Sequence, residues 1–501
     1  MFEYLLQGIL ATFQMDVFPF LLAGVTGGIA IGALPGLTAT MGVAIMLPFT
    51  FGMGAGASLA MLIGVYVGAI YGGSIPAILL RTPGTPASAA TAIDGHELVK
   101  QGYATKALSI SVICSFLGGL VSTIMLITVS PMLANFALRF SAPEYFTLAL
   151  FGLTIIASIS AKSMTKGLIG GFLGLIVACI GLDPITSTPR YTFGVMELYN
   201  GLSIIPVLIG LFAISECLLQ AEQLNLGAGN AIKKFSHSFV SRKEFREFLP
   251  SGLKSSLMGT LIGSVPGAGA DIAAFVCYNE ARRSSKKPET FGKGSLEGIA
   301  AAEAGNNGVT GGALVPLLTL GVPGDAVAAV LLGALTIQGL SPGPMLFQNS
   351  PDVVYGVFSS MLIANFLMLI VGLLGIKLFC RIVEVPKVLI VPMIAMLAVV
   401  GAYSMNNSMF DVGVALGFGF LGYLLTKCEI PLSPIVLAII LGPMAETNLR
   451  KSLMMYEGSW SFLYERPIVV VFIALAALSI YSTWRIKKKV NASEQEQAAA
   501  A

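Results

Sequence analysis

The sequence predicts an all-α polytopic membrane protein built from two inverted-topology repeats, each with a re-entrant hairpin broken at a Pro-Gly pair and a second broken segment. Three observations carry that prediction. The chain of 501 residues is 55% hydrophobic and only 11% charged, with a mean hydropathy of +0.84, where a soluble domain carries about 25% charged residues. The same Pro-Gly punctuation recurs in the same order in both halves. Basic residues gather in clusters separated by uncharged connections, the pattern of alternating cytoplasmic and external loops.

No Lys or Arg precedes Arg81, so the first apolar segment lacks the basic flank of a cleavable leader and is expected to remain. Runs such as residues 110–129, 353–376 and 468–481 suit a hydrocarbon core that needs about 20 apolar residues, flanks included. They do not alternate, so they read as helices rather than barrel strands. The six cysteines lie singly, with neither metal-ligand spacing nor a disulfide framework. A formal charge of +3 gives no electrostatic footprint for nucleic acid.

In the first half Gly32-Ala33-Leu34-Pro35-Gly36-Leu37-Thr38-Ala39-Thr40 is followed by Tyr71-Gly72-Gly73-Ser74-Ile75-Pro76 and then Thr82-Pro83-Gly84. In the second half Gly263-Ser264-Val265-Pro266-Gly267-Ala268-Gly269-Ala270-Asp271 is followed by Gly311-Gly312-Ala313-Leu314-Val315-Pro316 and then Val322-Pro323-Gly324, with one residue inserted. Basic clusters at residues 233–246 and 282–287 flank the second hairpin, whereas uncharged or acidic sequence flanks the first, so the two open to opposite faces. The charge map gives about eleven crossings plus two hairpins, at about 20 residues per crossing. It sets the N-terminus periplasmic and the C-terminus cytoplasmic. The expected divisions are a first repeat over residues 1–220, a cytoplasmic linker over 221–246, a second repeat over 247–445, a last transmembrane helix with flanks over 446–489, and a disordered tail over 490–501. Two features strain this map. Arg450 and Lys451 fall outside, and the apolar run 299–337 is too long for one unbroken crossing.

Broken segments at matching places in two halves point to the binding site of a secondary transporter. A half-helix beginning after Gly36 or Gly267 directs N–H groups and a positive dipole end at a carboxylate. The half-helix ending before each break offers carbonyls for a hard cation, near Pro35 and Pro266. Asp271, the carboxylate in a tip, is either a cation ligand or a protonation site. Thr38, Thr40, Ser74 and Thr319 bring hydroxyls, Gly267 and Ala268 bring backbone, and Asn306 and Asn307 are adjacent amides that must find partners in an apolar run. A plain kink is the competing reading of any one Pro-Gly pair, and back-bonding to a helix carbonyl that of any one hydroxyl. Glu303 suits either a polar cavity or the membrane surface, and Arg81 either the interface or an anion. Phe291-Gly292-Lys293-Gly294-Ser295 lacks the upstream Gly and the Ser/Thr after Lys of a phosphate loop. No intramembrane acid, base or metal set can be assembled, which argues against an enzyme and for the absence of a cofactor. An anion channel and a membrane-embedded enzyme are the alternatives.

Residues 32–48, 71–84 and 263–270, Phe291-Gly292-Lys293-Gly294, Glu303-Ala304-Gly305-Asn306-Asn307 and Leu318-Thr319-Leu320-Gly321-Val322-Pro323-Gly324 closely resemble the large membrane subunit of tripartite tricarboxylate transporters, the TctA family. The resemblance covers nearly the whole chain. It implies a bacterial inner-membrane importer of di- or tricarboxylates such as citrate, coupled to Na⁺ or H⁺. It also implies two protein partners, a small four-helix membrane subunit and a periplasmic binding protein, and admits a homo-oligomer. Two departures stand out: Ala301-Ala302-Glu303 replaces the family's usual Ala-Pro-Glu, and residues 74–77 lie where the family varies.

Overall fold

The computed structural model describes residues 2–34, 36–159, 164–222, 239–267, 269–382 and 387–481. They form an all-α membrane protein whose only sheet, among the described residues, is the antiparallel pair β1 (Gly181–Leu182) and β2 (Pro189–Arg190). The helices of the first half are α1 (Phe2–Thr12), α2 (Phe18–Ala33), α3 (Ala39–Met46), α4 (Ala55–Gly72), α5 (Ser74–Leu80), α6 (Ala89–Lys100), α7 (Ala104–Ala137), α8 (Ala142–Ile159) and α9 (Met164–Ala178). Next comes α10 (Ile204–Glu222), which contains a π turn over Ile209–Ile214. The second half holds α11 (Arg242–Gly263), α12 (Gly269–Ser284), α13 (Leu296–Leu320), α14 (Ala326–Ile337), α15 (Pro351–Ile382), α16 (Lys387–Asn406), α17 (Met409–Lys427) and α18 (Ser433–Met455). The last helix is α19 (Pro467–Tyr481). Among the described residues five stretches are long and apolar enough to cross a membrane: Ala55–Leu80, Ala104–Ala137, Ile204–Glu222, Pro351–Ile376 and Met409–Lys427. The run 299–337, too long for one crossing, divides into α13 and α14 at residues 321–325.

By contact the chain forms two compact units, residues 1–138 with 205–424, and residues 139–204 with 425–501. In the first unit, helix pairs meet backbone on backbone. A Cβ at Gly28 would lie 2.5 Å from the Val65 carbonyl oxygen, and one at Gly68 or Gly72 would lie 2.3 or 2.5 Å from the carbonyls of Val25 and Ile29. The pair α11/α13 repeats the pattern, with Gly259 at 2.1 Å from Gly305, Gly308 at 2.7 Å from Ser256 and Gly312 at 2.3 Å from Thr260. Lipid tails supply no hydrophobic drive between helices, so close approach over small residues carries the packing. The contacts match one to one at a constant shift along each helix. This register pairs Gly72 with Gly312 and Pro76 with Pro316, so the residue expected as an insertion is not one.

The loops that precede α4 and α13 share a further echo, Pro48-Phe49-Thr50-Phe51-Gly52-Met53-Gly54 against Pro288-Glu289-Thr290-Phe291-Gly292-Lys293-Gly294. Each is a 3₁₀ turn followed by a left-handed glycine, Gly52 at φ 75° and Gly292 at φ 82°. The second loop wraps a carboxylate from the first half: Asp94 Oδ1 accepts the backbone N–H of Gly292 (2.8 Å), Gly294 (2.9 Å) and Ser295 (2.8 Å), and Oδ2 accepts the Tyr278 hydroxyl (2.8 Å). Gln101 Nε2 donates to Lys293 O (2.9 Å), while Gln338 of α14 reaches the other way and donates to Ser58 Oγ (2.9 Å).

In the second unit α18 packs on α8 and α9. Arg450, which strained the charge map, is neutralised by Asp183 (2.7 Å) and Glu446 (2.8 Å), and Arg190 also pairs with Glu446 (2.7 Å). Backbone N–H groups of Thr186 and Ile185 hold the Asp183 carboxyl well below the usual carboxylate range.

Candidate functional site

The four breaks release backbone groups that lipid cannot satisfy, and the structure meets each locally. Of the first tip, Pro35 lies outside the described residues. Gly36 is left-handed (φ 92°), and its carbonyl accepts from Gln220 Nε2 at 2.9 Å. Thr38 N-caps α3, its hydroxyl oxygen accepting Met41 N–H at 3.2 Å, and Thr40 is buried in the first turn of that helix. At the second tip Pro266 and Gly267 are buried, and Gly267 N–H donates to Gly324 O at 2.6 Å. Ala268 lies outside the described residues. Asp271 is exposed in the first turn of α12.

The second breaks are wedged against their own hairpins. A Cβ at Gly84 would fall 2.3 Å from Gly32 O, and one at Gly324 2.6 Å from Gly263 O. In the first half Gly84 N–H donates to Gly73 O (3.1 Å), and the Thr85 and Ser88 hydroxyls share a bond of 2.9 Å. In the second half the buried Asp325 caps α14, accepting Ala328 N–H at 2.7 Å, and takes the Tyr66 hydroxyl at 2.6 Å. Arg81 ends α5 as an exposed left-handed residue (φ 59°), the place Gly321 (φ 71°) takes after α13.

A polar cluster lies inside the apolar packing of α13. Glu303 is 0% exposed; its carboxylate accepts the hydroxyls of Thr91 and Ser115 (2.8 Å to the latter), with Ser111 also in reach. Ser111 in turn bonds Ser74 (2.6 Å), which also donates to Tyr71 O (2.7 Å). One turn on, Asn307 Nδ2 donates to Glu303 O (3.1 Å), while its Oδ1 and both amide atoms of Asn306 are buried without a partner. Thr319 is also buried, but its hydroxyl is taken by Val315 O (2.7 Å).

The structure therefore brings Ser74, Asn306 and Asn307 to one cluster, Gly267 to the second break and Gly36 to α10. Asp325, Tyr66 and the hydroxyls of Thr91, Ser111 and Ser115 were not singled out by sequence. Asp325 had a signal, standing directly after Pro323-Gly324 at the start of an apolar helix. Tyr66, Ser111 and Ser115 had none, being ordinary members of apolar helices, and Thr91 had none on the mixed helix α6. An orphaned amide is a donor and an acceptor side by side, the equipment for one oxygen of a carboxylate and one hydroxyl or carboxylic acid.

Comparison with known proteins gives three findings. A sequence model described as "Tripartite tricarboxylate transporter TctA family" matches residues 18–437. A protein of Agrobacterium vitis described as "Uncharacterized 52.8 kDa protein in TAR-I ttuC' 3'region" is 36% identical over 452 residues, 90% of this chain and 90% of that protein. Another from the same organism, "Uncharacterized protein in TAR-II ttuC' 3'region", is 35% identical over 222 residues, 44% of this chain and 92% of that protein. No solved structure matches. A family match across most of the chain, together with a relative alike over nearly its full length, means that the chain belongs to the TctA family of tripartite tricarboxylate transporters.

Proposed function

We propose that this protein is the large membrane subunit of a tripartite tricarboxylate transporter, a cation-coupled secondary importer of di- or tricarboxylates such as citrate. It works in the bacterial inner membrane with a small four-helix membrane subunit and a periplasmic binding protein, by alternating access between two inverted repeats. Substrate carboxylates are taken by the backbone and hydroxyls around Gly36, Thr38, Thr40, Ser74, Gly267, Ala268 and Thr319 and by the amides of Asn306 and Asn307. The cation, Na⁺ or H⁺, binds near Pro35, Pro266 and Asp271. The observation that carries this reading is Asn306, fully buried with neither amide atom satisfied. A buried polar group left so costs about 1–3 kcal/mol and asks for a ligand.

The test is uptake into liposomes holding the chain with its two partner proteins, across a panel of carboxylates, with and without a Na⁺ gradient. Saturable, gradient-driven accumulation is expected, and Asn306→Ala weakens apparent affinity by about tenfold or more, as loss of a bond to a charged group would. If no carboxylate moves, the transport reading is wrong; unsaturable flux that only follows the gradient downhill identifies a channel instead. Single-cysteine variants at Thr38 and Ser264, labelled from each face with and without substrate, test alternating access. Labelling that never changes side sinks it.

A further inference from the structure

Glu303 is a fully buried carboxylate that the reading above leaves without a role. It stands in the middle of a helix that is buried along nearly its whole length, and its own exposure is 0%. A charged side chain inside a membrane protein is costly unless it is paired, and such residues mark ion or proton pathways. Among the described residues no cation pairs with it. The elements around α13 bring other titratable groups, most of them engaged elsewhere or neutral; Glu297 Oε2 on α13 is buried without a hydrogen-bond partner, and Asp271 of α12 is exposed. On α6, Asp94 is held by three amides and Tyr278, His96 sits against Ile78 O, and Lys100 pairs with Glu97. On α7, Cys114 is a buried thiol and Lys106 pairs with Glu244; on α11, Lys254 pairs with Glu280. On α12, Cys277 packs against Gly305. On α4, Tyr66 is bonded to Asp325. Glu297 stands on α13 itself, nearer its N-terminal end.

What does surround Glu303 is hydroxyl. Thr91 from α6 and Ser115 from α7 donate to its two oxygens, and Ser111 is in reach, passing on to Ser74. A hydroxyl can donate to a carboxylate or, by turning, accept from a carboxylic acid, so this shell satisfies either state of the group. Serine and threonine in helices have a second acceptor, the carbonyl one turn back, when they are not needed as donors. Both carboxylate oxygens sit at hydrogen-bond distance from hydroxyls, 2.8 Å at Ser115. A proton can join this shell by turning one hydroxyl from donor to acceptor, with no ligand displaced.

We propose that Glu303 is where the carrier binds and releases a coupling proton: a proton from the medium adds to one carboxylate oxygen on one face and leaves to the other face, the hydroxyl facing that oxygen turning from donor to acceptor and back while the other oxygen goes on accepting. This rests on the transport reading and departs from it on one point: the coupling ion is a proton, and its site is Glu303 instead of the tips at Pro35, Pro266 and Asp271. It also gives the orphaned Asn306 a place, one turn from a group whose charge changes during the cycle.

Two measurements separate this from the transport reading itself. In liposomes of the complete complex, with the carboxylate found above and no Na⁺ gradient, an inward proton gradient is expected to raise accumulation by the wild type. In Glu303→Gln the response to the gradient, normalised to that variant's own substrate counterflow, is expected to fall to the level seen without a gradient. A response equal to wild type, or a wild type indifferent to proton gradients, overturns the proposal while leaving transport intact. The second measurement needs no transport: infrared difference spectra of the purified protein between acid and alkaline buffer. A carboxylic-acid carbonyl band that appears reversibly and is missing in Glu303→Gln is expected. In Thr91→Val/Ser115→Ala, which keeps the acid but removes two donors to the carboxylate, the band is expected to persist to higher pH. No titrating band, or one that survives in Glu303→Gln, overturns it.

Discussion

Asp94 shows how a residue with no local signal can tie a fold together. Its carboxylate takes three backbone N–H groups from one loop and a tyrosine hydroxyl. Bonds to a charged group contribute about 1.5–3 kcal/mol each, and not additively, so Asp94→Ala should cost about 3 kcal/mol or more. Thermal melting in detergent checks this, and Asp94→Asn, which keeps an acceptor oxygen for the amides, should recover part of the loss. A wild-type melting curve for Asp94→Ala would mean that the loop holds itself. The loop was legible in sequence as glycine-rich, Phe291-Gly292-Lys293-Gly294-Ser295, and its resemblance to a phosphate loop is physical: successive amides converge on an anion. Its anion was not legible, because it arrives from a helix far away in the chain. The same holds for Tyr66, whose partner Asp325 belongs to the other half. Glu303 was visible as a charge in an apolar run, but only the hydroxyls around it decide between a cavity and a surface.

At the scale of elements, packing through glycine gives a contrast of sign within a single helix. On α2 a Cβ at Gly28 would collide with Val65 O at 2.5 Å, whereas one at Gly27 would meet nothing within 4 Å. Gly28→Ala must push α2 off α4 and should destabilise by about 1–3 kcal/mol. Gly27→Ala should be neutral or stabilise by up to about 1 kcal/mol through helix propensity. Unfolding of both variants in mixed micelles decides it; equal effects would mean that the helices part easily at this seam. The breaks themselves were legible, since Pro-Gly pairs and left-handed residues punctuate the sequence where the helices end. The insertion was expected in error because a Gly-Gly pair looks like an anchor by composition, while the contacts use Gly72 and Gly312 separately. Helix α12, about twice the length of α3, is what offsets the two halves in register.

For the molecule as a whole, acid is the informative perturbation. Glu244, capping α11 and paired with Lys106, is held down to about 2 from 4.5, chiefly by the bond to Lys106. A carboxyl lowered on folding stabilises above its unfolded value and loses that contribution as pH falls through the folded one. Stability from Glu244 should therefore decline between about 4.5 and about 2. Asp183 acts in the same direction in the second unit. Melting temperatures of wild type and Glu244→Gln, followed from neutral to acid pH, should converge at the acid end; curves that stay parallel contradict the assignment. The composition of the second unit was not legible. It joins residues 139–204 to 425–501 through ion pairs such as Asp183 with Arg450, and a charge map treats those residues only as loop markers. The glycine seams of the first unit carry one more consequence, a mechanical one. Packed helices slide by changing rotamers, and a seam of backbone against backbone has none to change. The pairs α2/α4 and α11/α13 are thus stiff planks under lateral load. A bilayer that thins or thickens tilts each plank as one piece, and bending concentrates in the short joints at residues 81–85 and 321–325.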